Sequence, residues 1–265
     1  MRVVLAVLLA LIAAGIAAVW FWPKSEADRP VLPITQPLPA PCRDMGFEGD
    51  VFVVCTVDPT QYAITIRCLA DDGKPIERLD RIKDTPDMIF AMNGGMYHED
   101  MSPVGLYVED GVVQTPLNEE DGTGNFFMKP NGVFFIDPDG RVHVMETRAF
   151  AAQQPQVLFA TQSGPMLVID GQIHPRFEPD GASRNVRNGV GVDRAGHAVF
   201  VISRGPVSFG KLGRLMRDDL GCDDALYLDG TISALHDGTR YVVGGKYPVG
   251  PVIIVSGRPR VVPTQ

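Results

Sequence analysis

Short apolar or alternating runs, most of them closed by Asp, Gly or Pro, fill this sequence from residue 50 to residue 255 and leave little room for long helices. Residues 50–57, 62–69, 88–92, 104–108, 132–136, 141–145, 166–169, 190–192, 198–202, 225–228 and 252–255 all have the length and β-branched or aromatic content of strands. Turn signals separate several of them, among them Glu109-Asp110-Gly111, Asp137-Pro138-Asp139-Gly140 and Asp170-Gly171. Two stretches predict helices. Residues 147–153 form a short one, and residues 208–220 a longer one with Ser208 as N-cap and Gly221 at the C-cap. Leu212, Leu215, Met216 and Leu220 share one face of the second helix. The pattern predicts an α+β fold: a single domain on a mixed, mostly antiparallel β-sheet with a few helices.

Ahead of that domain, residues 3–22 form an unbroken uncharged run behind Arg2, long enough to span a bilayer. Trp20 and Trp22 stand where aromatic residues favour the interface. Residues 1–23 therefore read as a membrane anchor or signal peptide, the uncleaved anchor being preferred; small residues at 14–18 leave cleavage open. Residues 24–41, with Pro30, Pro33, Pro37, Pro39 and Pro41, read as an extended linker. The folded domain is assigned to residues 42–265. This places it in the periplasm, or outside the cell if the segment is cleaved.

Export permits disulfides. If Glu48-Gly49 is a two-residue hairpin turn, Cys42 falls directly opposite Cys55, close enough to bridge. Cys68 with Cys222 is the pairing left by elimination. The net charge of −8, with no Lys/Arg cluster, argues against nucleic acid as a partner. No Walker loop, His-Glu-x-x-His or calcium-hand loop occurs, so no cofactor or metal is expected.

Polar residues gather where apolar runs end. Residues 90–100 run from a strand into Asn93-Gly94-Gly95 and then Met96-Tyr97-His98-Glu99-Asp100. Residues 124–135 hold Lys129 and Asn131, which read as solvated if Asn131-Gly132 is a hairpin turn. Ser163-Gly164-Pro165 breaks two runs without forming a serine-hydrolase elbow. Arg187-Asn188-Gly189 precedes a strand, and Arg187 has the forked donors that grip an anion. Leu228-Asp229-Gly230-Thr231-Ile232-Ser233 carries a carboxylate and two hydroxyls off a strand end. Each has an ordinary reading as a turn or a surface residue.

Together, and in this order, they resemble the phosphodiester glycosidase family, to which the lysosomal uncovering enzyme belongs. The match rests on Asn93-Gly94-Gly95, Gly105-Leu106-Tyr107-Val108, Ser163-Gly164-Pro165, Arg187 to Val192 and Leu228-Asp229-Gly230. Met96 to His98, Asn125 to Val133 and Leu228 to Ser233 are similar to its bacterial exported branch. Thr231 and Asn188 depart from the uncovering enzyme's pattern. The resemblance implies hydrolysis of a sugar-1-phosphodiester in a glycan or cell-envelope substrate. It assigns Asp229 as the carboxylate acting on the sugar or its attacking water, Glu99 as a second carboxylate and Arg187 as the holder of the phosphate. Asn93, Gly94, Ser163, Asn188, Thr231 and Ser233 would position the substrate, with His98, Lys129 and Asn131 assisting. Two rivals stand beside this: a non-catalytic periplasmic module that binds glycan or cell wall, and a metal-dependent phosphodiesterase built on Asp223, Asp224 and Asp229.

Overall fold

A computed structural model describes residues 37–83, 85 and 87–258. The run at residues 3–22 and the linker up to residue 36 lie outside them, so the anchor and linker readings are not addressed by it. Among the described residues no helix is long and apolar enough to cross a membrane. The strands and helices belong to one unit, Leu38–Gln265.

The single mixed sheet expected from the pattern is instead three sheets, and the strand pairings described in them are antiparallel. The largest runs in the order β1 (Cys42–Phe47), β2 (Asp50–Val57), β13 (Ala198–Ser203), β12 (Asn188–Asp193), β14 (Cys222–Tyr227), β10 (Met166–Ile169), β11 (Gln172–Ile173). The second runs β16 (Tyr241–Val243), β15 (Leu235–His236), β4 (Met88–Asn93), β17 (Val252–Gly257), β3 (Tyr62–Arg67). The third runs β6 (Val112–Thr115), β5 (Tyr107–Glu109), β9 (Phe159–Ser163), β7 (Gly132–Ile136), β8 (Val142–Glu146). Periodicity marks strands but not their partners. β4 pairs with β17 far along the chain, a choice made by packing rather than by local pattern.

Phe200 shows how the sheets close on one core. From β13 it meets Phe90 of the second sheet at 5.5 Å and Phe134 of the third at 5.8 Å, both edge to face. On the other side of the first sheet, helix α2 (Phe209–Arg214) and the wider π turn Leu215–Asp219 lay Leu212, Leu215 and Met216 over Val199, Val201 and Tyr227. Both faces of this sheet are therefore buried, which is why its central strands read as continuous apolar runs. Ser208 caps α2 through Lys211 N–H at 3.1 Å, as the sequence predicts. The other helix, α1 (Thr147–Gln153), also has its predicted bounds and is capped by Glu146.

The β1–β2 hairpin has the expected register, with Cys42 opposite Cys55 and Phe47 opposite Asp50. Glu48 and Gly49 turn with φ of 45° and 78°, the twist a two-residue hairpin prefers. Cys42 and Cys55 are disulfide-bonded. Cys68 and Cys222, in contrast, are free thiols, which corrects the pairing by elimination. Cys68 follows β3 in the second sheet while Cys222 opens β14 in the first, and burial pushes both thiols up to about 12. The Cys42–Cys55 bridge closes a short loop, with a sequence separation of 13. Replacing both cysteines by serine is expected to cost roughly 2–3 kcal/mol of unfolding free energy. A urea midpoint unchanged from the oxidised protein would show the hairpin needs no staple.

Candidate functional site

The strands that pair across sequence also deliver their ends to one place. β14 ends at Tyr227, Leu228 stays buried, and the chain then turns through the short 3-10 segment Gly230–Ile232. Asp229 caps that segment and is half-buried. Its main chain is clamped from both sides. Asp229 N–H donates to Gly94 O at 3.2 Å, and Asp229 C=O accepts from Asn93 Nδ2 at 2.9 Å.

Beneath it lies a closed set of amides and hydroxyls. Asn93, at the end of β4, is 1% exposed, and Asn188, opening β12, is fully buried. Asn93 Oδ1 accepts from Asn188 Nδ2 and from Ala234 N–H, both at 2.9 Å. Ser233 Oγ lies 3.1 Å from Asn188 Oδ1 and 2.9 Å from Gly230 O, sharing one proton between them. These groups satisfy one another, as buried polar groups must. Their bonds tie β4, β12 and the turn after β14 into one support for Asp229. Thr231 sits within that turn.

Two tyrosines flank the carboxylate. Tyr97 donates to Pro248 O at 2.7 Å, and its phenol is pushed up by burial and then by the charge of Asp229. Burial pushes the Tyr227 phenol up to about 12; Arg187 opposes this and Asp229 adds to it. A Cβ at residue 230 would fall 1.7 Å from Tyr227 Oη, so only glycine lets the turn close over this ring. Neither tyrosine was assigned a role from sequence. For Tyr227 the signal was there: residues two apart on a strand share a face, which puts Tyr227 on the side of Asp229.

Arg187 is 1% exposed, and its fork is occupied. Nε donates to Val207 O at 2.9 Å, Nη1 to Tyr227 Oη at 3.1 Å, and Nη2 to Ser183 O and Oγ, each at 3.1 Å. The guanidinium carbon stands 3.6 Å from the centre of the Phe209 ring. Burial holds its pKa below the usual arginine value. Arg187 thus reaches the site through the Tyr227 hydroxyl.

The other residues singled out from sequence lie at varied distances from this centre. Gly94 is directly on the Asp229 main chain. Ser163 ends β9 fully buried, and Pro165 O accepts from Tyr227 N–H at 3.0 Å. Gly95 abuts the same strand: a Cβ there would lie 2.3 Å from Gln162 O, which explains the paired glycines. Asn131 is 1% exposed rather than solvated. The segment before β7 is irregular and does not pair as a hairpin, so the Asn131-Gly132 turn is corrected. Lys129 Nζ bonds Glu119 O and Asp121 Oδ1, both at 2.7 Å. His98 and Glu99 stand on an exposed turn, closed by His98 N–H to Ser102 O at 2.8 Å, immediately after Tyr97.

Asp223 and Asp224 do not join Asp229. They open β14, which Asp229 follows, so the extended strand sets Asp223 and Asp229 roughly 20 Å apart. Among the described residues no group of three or more His, Cys, Asp or Glu is arranged to hold a metal.

An aromatic column extends the site inward. His174 stacks on Phe177 at 4.6 Å, Phe177 on Phe209 at 4.9 Å, and Phe209 meets Tyr227 edge-on at 4.7 Å. His174 is 1% exposed, and burial lowers its pKa from the ordinary 6.5. His236 is lowered for the same reason, though Asp237 and Asp80 oppose the shift. Both rings are neutral in the fold and take up protons more readily when unfolded. Stability from this source is therefore present above about 6.5 and lost as pH falls towards the folded values, by at most about 1.4 kcal/mol per pH unit per ring. The melting temperature is expected to hold from pH 8 to 7 and fall below 6.5. In the H174N/H236N double variant that slope should flatten; an undiminished slope would place its origin elsewhere.

The profile of the phosphodiester glycosidase family matches residues 86–256. The Escherichia coli K12 protein "Uncharacterized protein YigE" is 42% identical over 158 residues, which are 60% of this chain and 59% of that relative. The match thus spans less than two thirds of the relative's length. Among solved structures, the zebrafish N-acetylglucosamine-1-phosphodiester α-N-acetylglucosaminidase catalytic domain, auto-inhibited by its pro-peptide, superimposes with a TM-score of 0.58 and 13% identity over 85% of each chain. A hypothetical protein from Synechocystis gives a TM-score of 0.57 and 14% identity over 82% of this chain and 61% of that one. At such identities the likeness is one of fold.

Proposed function

This chain belongs to the phosphodiester glycosidase family, and from that premise we propose that it is an exported hydrolase cleaving the glycosidic bond of a sugar-1-phosphodiester in a glycan or cell-envelope substrate. The observation that carries the reading is the clamp on Asp229. Asn93, Asn188 and Ser233 arrive from three separate stretches and spend their hydrogen bonds holding that residue. Rigid support of this kind is what a reacting carboxylate requires.

As the bond from the anomeric carbon to the phosphate oxygen lengthens, positive charge develops on the sugar ring. Asp229 stabilises that charge or takes a proton from the attacking water. The departing phosphomonoester is a weak base, so a strong general acid matters less than for an ordinary glycoside. Glu99, on the turn beyond Tyr97, supplies the second carboxylate, with His98 beside it. Arg187 contributes positive potential from behind Tyr227 and keeps that phenol in place. Gly94, Ser163 and Thr231 shape the substrate's path, and Lys129 and Asn131 meet its phosphate-bearing end.

Export is supported by the Cys42–Cys55 bridge, which an oxidising compartment preserves, together with the apolar run at residues 3–22. The sugar-phosphodiester substrate class is supported by the family and by the zebrafish neighbour's own activity. The test is turnover of a chromogenic sugar-1-phosphodiester by the purified chain. Binding of that compound without release of sugar would replace the hydrolase with a glycan-binding module.

A further inference from the structure

Beside the Asp229 site, the third sheet carries a polar cleft of about 230 Å³ lined by Glu119, Lys129, Asn131, Glu146, Thr147 and Arg148. Three elements build it: the irregular segment before β7, the end of β8 and the first turn of α1. Lys129 is mostly covered, with 26% of its side chain exposed, yet its partner Asp121 is 95% exposed. The carboxylate therefore reaches in from solvent to a half-buried ammonium. Arg148, exposed on α1, acts on the same carboxylate, so two cations from different elements serve one anion. An ion pair this exposed adds little to stability, so the fold does not require it. The nearer acid, Glu146, is already committed to the N–H groups of Arg148 and Ala149.

A second observation points to a ligand. Asn131 is 1% exposed and donates Nδ2 to Phe126 O at 2.9 Å, but its Oδ1 accepts no hydrogen bond among the described residues. A buried acceptor left open costs free energy unless something donates to it. Contact with the Asp229 site is direct. A Cβ at Gly164 would stand 2.6 Å from Asn131 Cβ, and Pro165 bonds Tyr227.

We infer that this cleft is an anion subsite: Lys129 and Arg148 take a phosphate of the substrate, Asn131 Oδ1 accepts from a hydroxyl beside it, and Asp121 fills the place until the ligand displaces it. The assignment rests on the sugar-phosphodiester reading above. It adds that recognition extends to a phosphate on the far side of Ser163-Gly164-Pro165 from Asp229.

Inorganic phosphate titrated into the full chain, followed by the NMR signals of the Asn131 side-chain amide, tests this. Asp121→Asn is expected to tighten binding roughly three- to fivefold, the scale of one exposed ion pair. Lys129→Met and, separately, the surface substitution Arg148→Gln should weaken it. Unchanged or weaker binding in D121N, or wild-type binding in both cation variants, would overturn the subsite. Shifts that follow the expected order identify it, whereas saturation that ignores all three substitutions marks an adventitious ion only. Turnover of the chromogenic phosphodiester is read on the same proteins. Ordered phosphate binding without turnover keeps the subsite and removes the hydrolase; turnover without any response of Asn131 does the reverse.

Discussion

Asp229→Asn should abolish turnover of a sugar-1-phosphodiester, by roughly 10²–10⁴-fold in kcat, while leaving the fold in place. The fold is spared because the bonds that hold this residue use its main chain. Gly94 O takes its N–H and Asn93 Nδ2 binds its C=O, and neither notices the side chain. The amide has the shape of the carboxylate but neither its charge nor its basicity, so it can neither stabilise a cationic ring nor accept a proton from water. Substrate binding should survive, because no ground-state contact in the proposal depends on that charge. KM is therefore expected to change far less than kcat, the signature of an interaction made mainly in the transition state. Asn93→Ala should act on the same step indirectly. It removes the clamp and leaves the Ala234 N–H and Asn188 Nδ2 without their acceptor. A D229N protein that turns over like the wild type would remove Asp229 from the chemistry and leave the clamp as scaffolding.

The strands could be read from the sequence because their signals are local. Alternation and Asp-Gly turns fix where an extended run begins and ends, and residues 50–57, 132–136 and 166–169 match their strands end for end. Ser208 and Gly221 mark the ends of the α2 helical segment by capping, again a local effect. The division into three sheets was not legible, because Phe200 meeting both Phe90 and Phe134 is a contact between residues far apart in sequence. The short strands β11, β15 and β16 were also missed, since two or three residues carry too little pattern to register.

Within the site, Asn93, Gly94, Asn188, Asp229 and Ser233 were legible because each sits where a strand ends in a residue that strands avoid. Tyr227 and Arg187 were harder. Tyrosine in an apolar run passes for core, and arginine ahead of a strand passes for surface. What separated them from those readings was the one thing sequence cannot supply: which buried acceptor waits for the guanidinium.

Replacing that guanidinium should be the most damaging change to stability. Arg187→Met keeps a comparable volume but strands Val207 O, Tyr227 Oη and Ser183 O in a buried setting, and it removes the cation over Phe209. Each buried acceptor left unpaired costs about 1–3 kcal/mol, and the losses overlap because they share one group. A total of roughly 3–5 kcal/mol is expected, read as the shift in urea midpoint at constant m-value. Arg187→Lys should recover little of it. An ammonium on a flexible stem cannot address Val207, Tyr227 and Ser183 at once, nor lie flat on the Phe209 ring. The same pair of variants separates two roles for the residue. If Arg187 acts by holding Tyr227 under Gly230, R187K loses stability and kcat together while KM for the phosphodiester stays close to wild type. If it meets the substrate phosphate itself, R187K keeps its stability and the loss appears in KM, deepening as salt screens the remaining charge. A stable R187M protein, within about 1 kcal/mol of wild type, would mean that these acceptors find other donors and that the column from His174 to Tyr227 stands without its cation.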